Sequence, residues 1–289
     1  MFSRSLTRWT INPTKHFQSR FNSIQLVKTP IEIAQRILCN KLLLDRTILE
    51  TNNKDRITGT SIMDDDHKQY EMLTKVIEEL NLYSITTKRE TELMSKEWGS
   101  WDMNTDIIPS IQRWESTGVL LWALGHLKMP SHSTRFDIKS ILSILNRTPN
   151  QNTIINYQNV FLLQNQLISN SKLNDQIMDL EIWFTRAQLH YSVLLAQQTN
   201  TRIPQQIQTQ HQQMVQELTR QARLREIETG PDDFLVDGIL YKDISEDVFD
   251  LVYMVGECRL VALGWLVGTH EWDYQPFQFM DSDLISHRF

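Results

Sequence analysis

The spacing of apolar side chains constrains this chain most strongly, because they recur at every third or fourth position along most of its length. Leu173, Ile177, Leu180, Phe184, Ala187, Tyr191 and Leu194 draw one apolar stripe down a helix that reaches Gln198. Such a stripe is stable only when another element covers it. The same period marks Ile33, Ile37, Leu38, Leu42 and Leu44 after Pro30, a residue suited to a first helical turn. It marks Tyr70, Leu73, Val76, Ile77 and Leu80 after three aspartates. Thr87 and Glu90 have the spacing of a capping box, and Leu82–Ile85 before them reads as extended. A central helix over 107–127 is apolar around most of its circumference, and a last long helix begins at Ser245. These segments predict an all-α fold, a single irregular helical domain over 31–289. One small β-hairpin is expected at 234–241, where Asp237-Gly238 supplies the two-residue turn.

Two stretches depart from the stripe pattern. Residues 150–171 are rich in Asn and Gln but carry enough apolar residues for a short helix, and 197–221 holds ten glutamines. The glutamine-rich stretch has few apolar positions, so it reads as a solvated helix lying on the periphery of the body. The aromatic tail after Gly268 is expected to wrap the body.

Charge divides the chain differently. Arg4, Arg8, Lys15, Arg20 and Lys28 fall in residues 1–30, which contain no Asp or Glu and several serines. That composition is the pattern of a mitochondrial transit peptide, so the expected location is the mitochondrion, in its matrix. The remaining body keeps 35 acids against 24 bases, near −11, because 5 of the 29 bases lie in the first thirty residues. A body this acidic disfavours contact with a nucleic-acid backbone. No apolar run is long enough to cross a bilayer. Cys39 and Cys258 stand in apolar surroundings and read as small buried side chains.

Three dense motifs remain. Trp114-Glu115-Ser116-Thr117-Gly118-Val119-Leu120-Leu121-Trp122-Ala123-Leu124-Gly125 lies in the central helix, and Asp179-Leu180-Glu181-Ile182-Trp183-Phe184-Thr185-Arg186-Ala187 in the long one. Gly256-Glu257-Cys258-Arg259-Leu260-Val261-Ala262-Leu263-Gly264-Trp265-Leu266, followed by Trp272-Asp273, lies at the C-terminal end. In order and spacing they resemble the family described as domain of unknown function 4272, over about 31–273. The family places Glu and Arg side by side where this chain inserts Cys258 between Glu257 and Arg259. The resemblance implies an α-rich fold and brings no mechanism with it.

The motif charges Glu115, Glu181, Arg186, Glu257, Arg259 and Asp273 are the candidate polar set, read first as a buried network tying helices together and second as a ligand pocket. Trp114, Trp122, Trp183, Trp265 and Trp272 are the candidate aromatic lining, with core packing the simpler reading. Glu181 stands five residues before Arg186, a poor helical pairing distance. His126 with His132, Asp64–Asp66 with His67, and His270 with Glu271 and Asp273 lack metal-site spacing. No glycine-rich phosphate loop or nucleophile elbow occurs, so no catalytic residue, metal or cofactor is assigned. Three functions stay open: a non-enzymatic interaction or assembly protein with protein partners, a small-molecule binder or enzyme using a Glu/Arg/Trp pocket, and a peripheral subunit of a large mitochondrial complex.

Overall fold

The computed structural model describes residues 25–55, 63–79, 82–145, 167–200 and 202–273. Most of the 150–171 stretch, the tail beyond Asp273 and most of the basic N-terminal segment lie outside the described residues.

Eight α-helices and one two-stranded sheet make up the fold among those residues. They are α1 (Pro30–Asp55), α2 (Met63–Glu79), α3 (Lys88–Ser95), α4 (Ile108–Ala123), α5 (Ile138–Leu145), α6 (Asn170–Gln198), α7 (Gln205–Leu224) and α8 (Glu246–Leu266). Strands β1 (Leu235–Val236) and β2 (Ile239–Leu240) pair antiparallel between α7 and α8, with Leu235 opposite Leu240. Asp237 and Gly238 turn them with φ of 51° and 81°, the two positive values that a tight hairpin requires. The chain is thus mainly α with one small hairpin, as the periodicity implies.

Local chemistry sets the helix starts. At α1 the Thr29 hydroxyl accepts from the Glu32 amide, while the Glu32 carboxylate accepts from the Thr29 amide and hydroxyl, and Pro30 occupies the first turn. Thr87 and Glu90 form the expected capping box on α3. Ser169 caps α6 and Ser245 caps α8. The segment before α3 is a 3-10 turn over Leu82–Ser84 instead of an extended connection. Before α4, Asp102 accepts from the Asn104 and Thr105 amides and opens a π turn over Met103–Ile107. The central helix therefore begins near the expected point but ends at Ala123, where Leu124 and Gly125 leave it.

Three apolar clusters fill the interior. The first joins Ile33 and Ile37 of α1, Val119–Leu124, Leu173 and Leu180 of α6, and Leu263 and Leu266 of α8. The second joins the middle of α6 to Leu218 and Ala222 of α7, Phe234, Tyr241 and the first turns of α8. The third gathers Leu38, Leu42 and Leu43 of α1 with Ile77, Leu93, Trp101 and Ile107. Helices α6 and α8 pass through both of the first two clusters, and α1 links the first to the third. Of the expected core residues, Leu120, Leu124, Leu180, Phe184, Ala187, Leu263 and Leu266 are buried, and Leu260 packs between two clusters half-buried.

Residues before Pro30 also belong to the body. The Val27 and Lys28 amides both donate to the Leu266 carbonyl, Leu26 packs on the first cluster, and Lys28 lies over the Trp265 ring. The folded body therefore extends at least to Leu26, short of the boundary that charge alone draws at residue 30.

Close approach explains two helix glycines. A Cβ on Gly118 would meet the Phe136 ring at 2.3 Å, and one on Gly256 would meet Phe184 at 2.9 Å. Alanine has the higher helix propensity, yet Gly118→Ala should lower stability by about 1–3 kcal/mol through overpacking. A urea-unfolding midpoint equal to or above that of the parent would contradict this packing.

Candidate functional site

The motif charges build two buried ion pairs in place of one pocket. In the first, Arg259 of α8 donates its Nε to Glu115 of α4 at 3.1 Å, both side chains being enclosed. Its other two nitrogens donate to the carbonyls of Ser131 and Thr134, at 2.9 and 2.5 Å. The second oxygen of Glu115 accepts from the Phe136 amide at 2.9 Å, and the guanidinium sits over the Phe136 ring. One arginine thus binds a helix and a loop to its own helix. Burial pushes the Glu115 carboxyl up from the usual range, and Arg259 pulls it back.

In the second pair Arg186 of α6 meets Asp233 through two parallel contacts of 2.7 Å. This bidentate fork is the strong form of the interaction. Asp233 also accepts from the Phe234 and Lys242 amides, so it fixes the turn leading into the hairpin and the one leaving it. The Arg186 guanidinium lies 4.6 Å from the centre of the Tyr241 ring. Between the two pairs, Trp183 stacks on His132 at 5.5 Å and meets Tyr241 edge-on at 5.6 Å.

A third network lies across α1, α3 and α4. Glu90, fully enclosed, accepts from Arg36 and Arg113, each at 2.5 Å. Arg113 also reaches Asp273, and Arg36 lies 5.3 Å from the Trp272 ring, which meets Trp265 edge-on. The C-terminal Trp272-Asp273 is therefore clamped by two arginines whose importance the motif reading missed. Arg46 and Glu50 form a fourth enclosed pair that holds the 96–101 loop through the Lys96 and Glu97 carbonyls and the Gly99 and Trp101 amides.

The expected residues thus separate. Glu115 with Arg259, and Arg186, fall in the network that joins α4, α6, α8 and the hairpin. Asp273 falls in the network on α1 and α3. Glu181 does not pair with Arg186, whose Nε and Nη2 both go to Asp233. Glu257 does not pair with Arg259, because two residues apart on a helix they point to different sides. Trp122, Trp265 and Trp272 are buried in the first apolar cluster with Trp114 half-buried against it, and Trp183 is buried in the second, so the five are packing residues of the core. Asp233 gives the sequence no periodic signal, whereas Arg36 could have been suspected from its place beside Ile33 and Ile37.

Among the described residues no group of His, Cys, Asp and Glu could hold a metal ion. Fold and site together define a helical protein whose motif charges tie its helices. No family model, curated protein or solved structure matches the chain.

Titration separates the two kinds of buried group. Desolvation raises the half-buried Glu257 to about 7, so its burial becomes costly as pH rises from the ordinary carboxylate range through 7. Burial lowers His132 and His190 to about 4, so their contribution is lost as pH falls from 6.5 toward that value. Glu257→Gln should raise the melting temperature at pH 8 and leave it nearly unchanged at pH 5. An equal change at both would refute the assignment. Asp233→Ala should cost about 3–5 kcal/mol, because it leaves Arg186 charged and enclosed without its partner. A loss under about 1 kcal/mol in urea unfolding would show that the pair does not hold the hairpin.

Proposed function

We propose that this chain is a non-enzymatic interaction or assembly protein that works in the mitochondrial matrix, a diverged relative of the family of domain of unknown function 4272. The observation that carries this reading is the engagement of the motif charges. Glu115, Arg186, Arg259 and Asp273 each bridge separate segments of the fold, so they act as ties. The three family-like motifs lie on α4, α6 and α8, and α8 packs on both of the others. Function on this reading belongs to the surface.

The end of the α6–α7 pair supplies a surface of the right kind. The last turn of α6 and the first six residues of α7, Gln205–Gln210, face outward, and Leu195 and Ile207 are exposed there. Farther along, α7 is anchored by Leu218 and Ala222, and by Arg225 bonded to Asp179 and Asp175 of α6. A polar end carrying isolated apolar side chains suits a protein partner, such as a subunit of a larger mitochondrial complex. The acidic body favours contact through protein over RNA. The basic, acid-free N-terminal segment supports import, with removal upstream of Leu26, the first residue tied to the body.

The full-length chain carrying a C-terminal tag should co-purify with mitochondria in a shortened form. It should bring down at least one mitochondrial protein, and Leu195→Asp with Ile207→Asp should release that partner without lowering the melting temperature. A cytosolic, full-length, monomeric chain would overturn the reading.

A further inference from the structure

One stretch of the surface carries almost no charge. Residues 187–216 span the second half of α6, the turn after it and the first half of α7. They hold no Asp, Glu or Lys in a chain that is 22% charged, and Arg202 in the turn is their one formal charge at pH 7. The charges that bound the stretch are already engaged. Arg186 is enclosed on Asp233, and Glu217 accepts from two nitrogens of Arg220. Much of the stretch nevertheless stands in water, since 205–210, 212, 213 and 216 are all exposed. The inner side of α7 is fixed: His211 Nε2 meets the Leu189 carbonyl at 2.9 Å, and Met214 and Val215 pack on the second apolar cluster. Gln206, Gln210 and Gln213, four and three positions apart, therefore stand together on the outward side.

We propose that a second copy of the chain docks on this uncharged face, in a two-fold dimer that sets α7 against the partner's α7, an inference that rests on the reading of this end as an interaction surface and names its occupant. A two-fold contact lays one patch against itself, so each charge in it would lie near a copy of itself or of a neighbour. The chain is net −6, and on this face two copies meet without that repulsion. A glutamine amide both donates and accepts, so a face of glutamines is its own complement. A partner recognised by its charge would need opposite charges here to answer it, and the face has none to offer beyond Arg202. Leu195 and Ile207 add apolar contact, and the depletion of Lys, Glu and Asp is the composition of an interface core. The uncharged part of α7 is about 18 Å long, so the contact is small and its dissociation constant is on the order of micromolar.

Sedimentation equilibrium of the purified full chain, at about 50 mM and about 500 mM sodium chloride, tests this. The chain should reach twice its monomer mass, and the dimer should tighten at the higher salt, where the net charge is screened. Gln210→Glu with Gln213→Glu should weaken it about tenfold or more at the lower salt, because like charges then face each other. The melting temperature should not change, since both side chains are exposed and keep their shape. Mixing that protein with one carrying Gln210→Lys and Gln213→Lys should restore a dimer. A monomer throughout, a dimer indifferent to these substitutions, or one that weakens with salt would overturn the proposal, the last because it marks ion pairs such as those of the basic N-terminal segment with the acidic body. A pure chain that stays monomeric yet brings down another mitochondrial protein through Leu195 and Ile207 would sink the second copy alone and leave the interaction reading standing.

Discussion

The contact on which the most of this fold depends is the enclosed pair of Arg259 with Glu115. It brings α8 to α4 and draws in the 131–136 loop through two carbonyls and one amide. That loop carries Phe136, whose ring fills the space that the missing side chain of Gly118 leaves on α4. Helix contact, loop position and ring packing are therefore set together. Two charges taken out of water are tolerated here because the guanidinium donates from all three nitrogens and both carboxylate oxygens accept.

The same design recurs where the apolar clusters meet. Arg186 with Asp233 holds the hairpin against α6, Glu90 with Arg36 and Arg113 holds α3 to α1 and α4, and Arg46 with Glu50 holds the loop around Trp101. Apolar burial supplies the driving force for collapse but does not by itself choose one helix arrangement. Enclosed charges do choose, because a shifted helix would leave them without partners. This division explains why residues dense in the motifs are tied inward while the glutamine-rich end of α7 stays in water.

Much of the helical framework was legible because its signals are local. The stripe from Leu173 to Leu194, the Thr87–Glu90 box, the Ser245 start and the Asp237-Gly238 turn each depend on neighbours a few residues apart. The structure pairs Glu115 with Arg259 across 144 positions, a partnership that no local spacing singles out. The wider site was not legible, since Asp233 is separated from Arg186 by 47 positions and no local period connects them. Glu181 and Glu257 stand five and two positions from an arginine, spacings that already argue against a helical pair, and Arg186 and Arg259 turn to Asp233 and Glu115. The π turn at 103–107 and the 3-10 turn at 82–84 escaped for a related reason: each depends on a cap or a packing neighbour more than on propensity.

A double-mutant cycle on Glu115 and Arg259, with Glu115→Gln, Arg259→Met and the two combined, measures the central tie directly by urea unfolding. Each single change should be costly because it strands the other group, and the double change should cost less than the two added, with a coupling of about 1.5–3 kcal/mol. Strict additivity within about 0.5 kcal/mol would contradict the account, since it would mean that the two groups do not depend on each other.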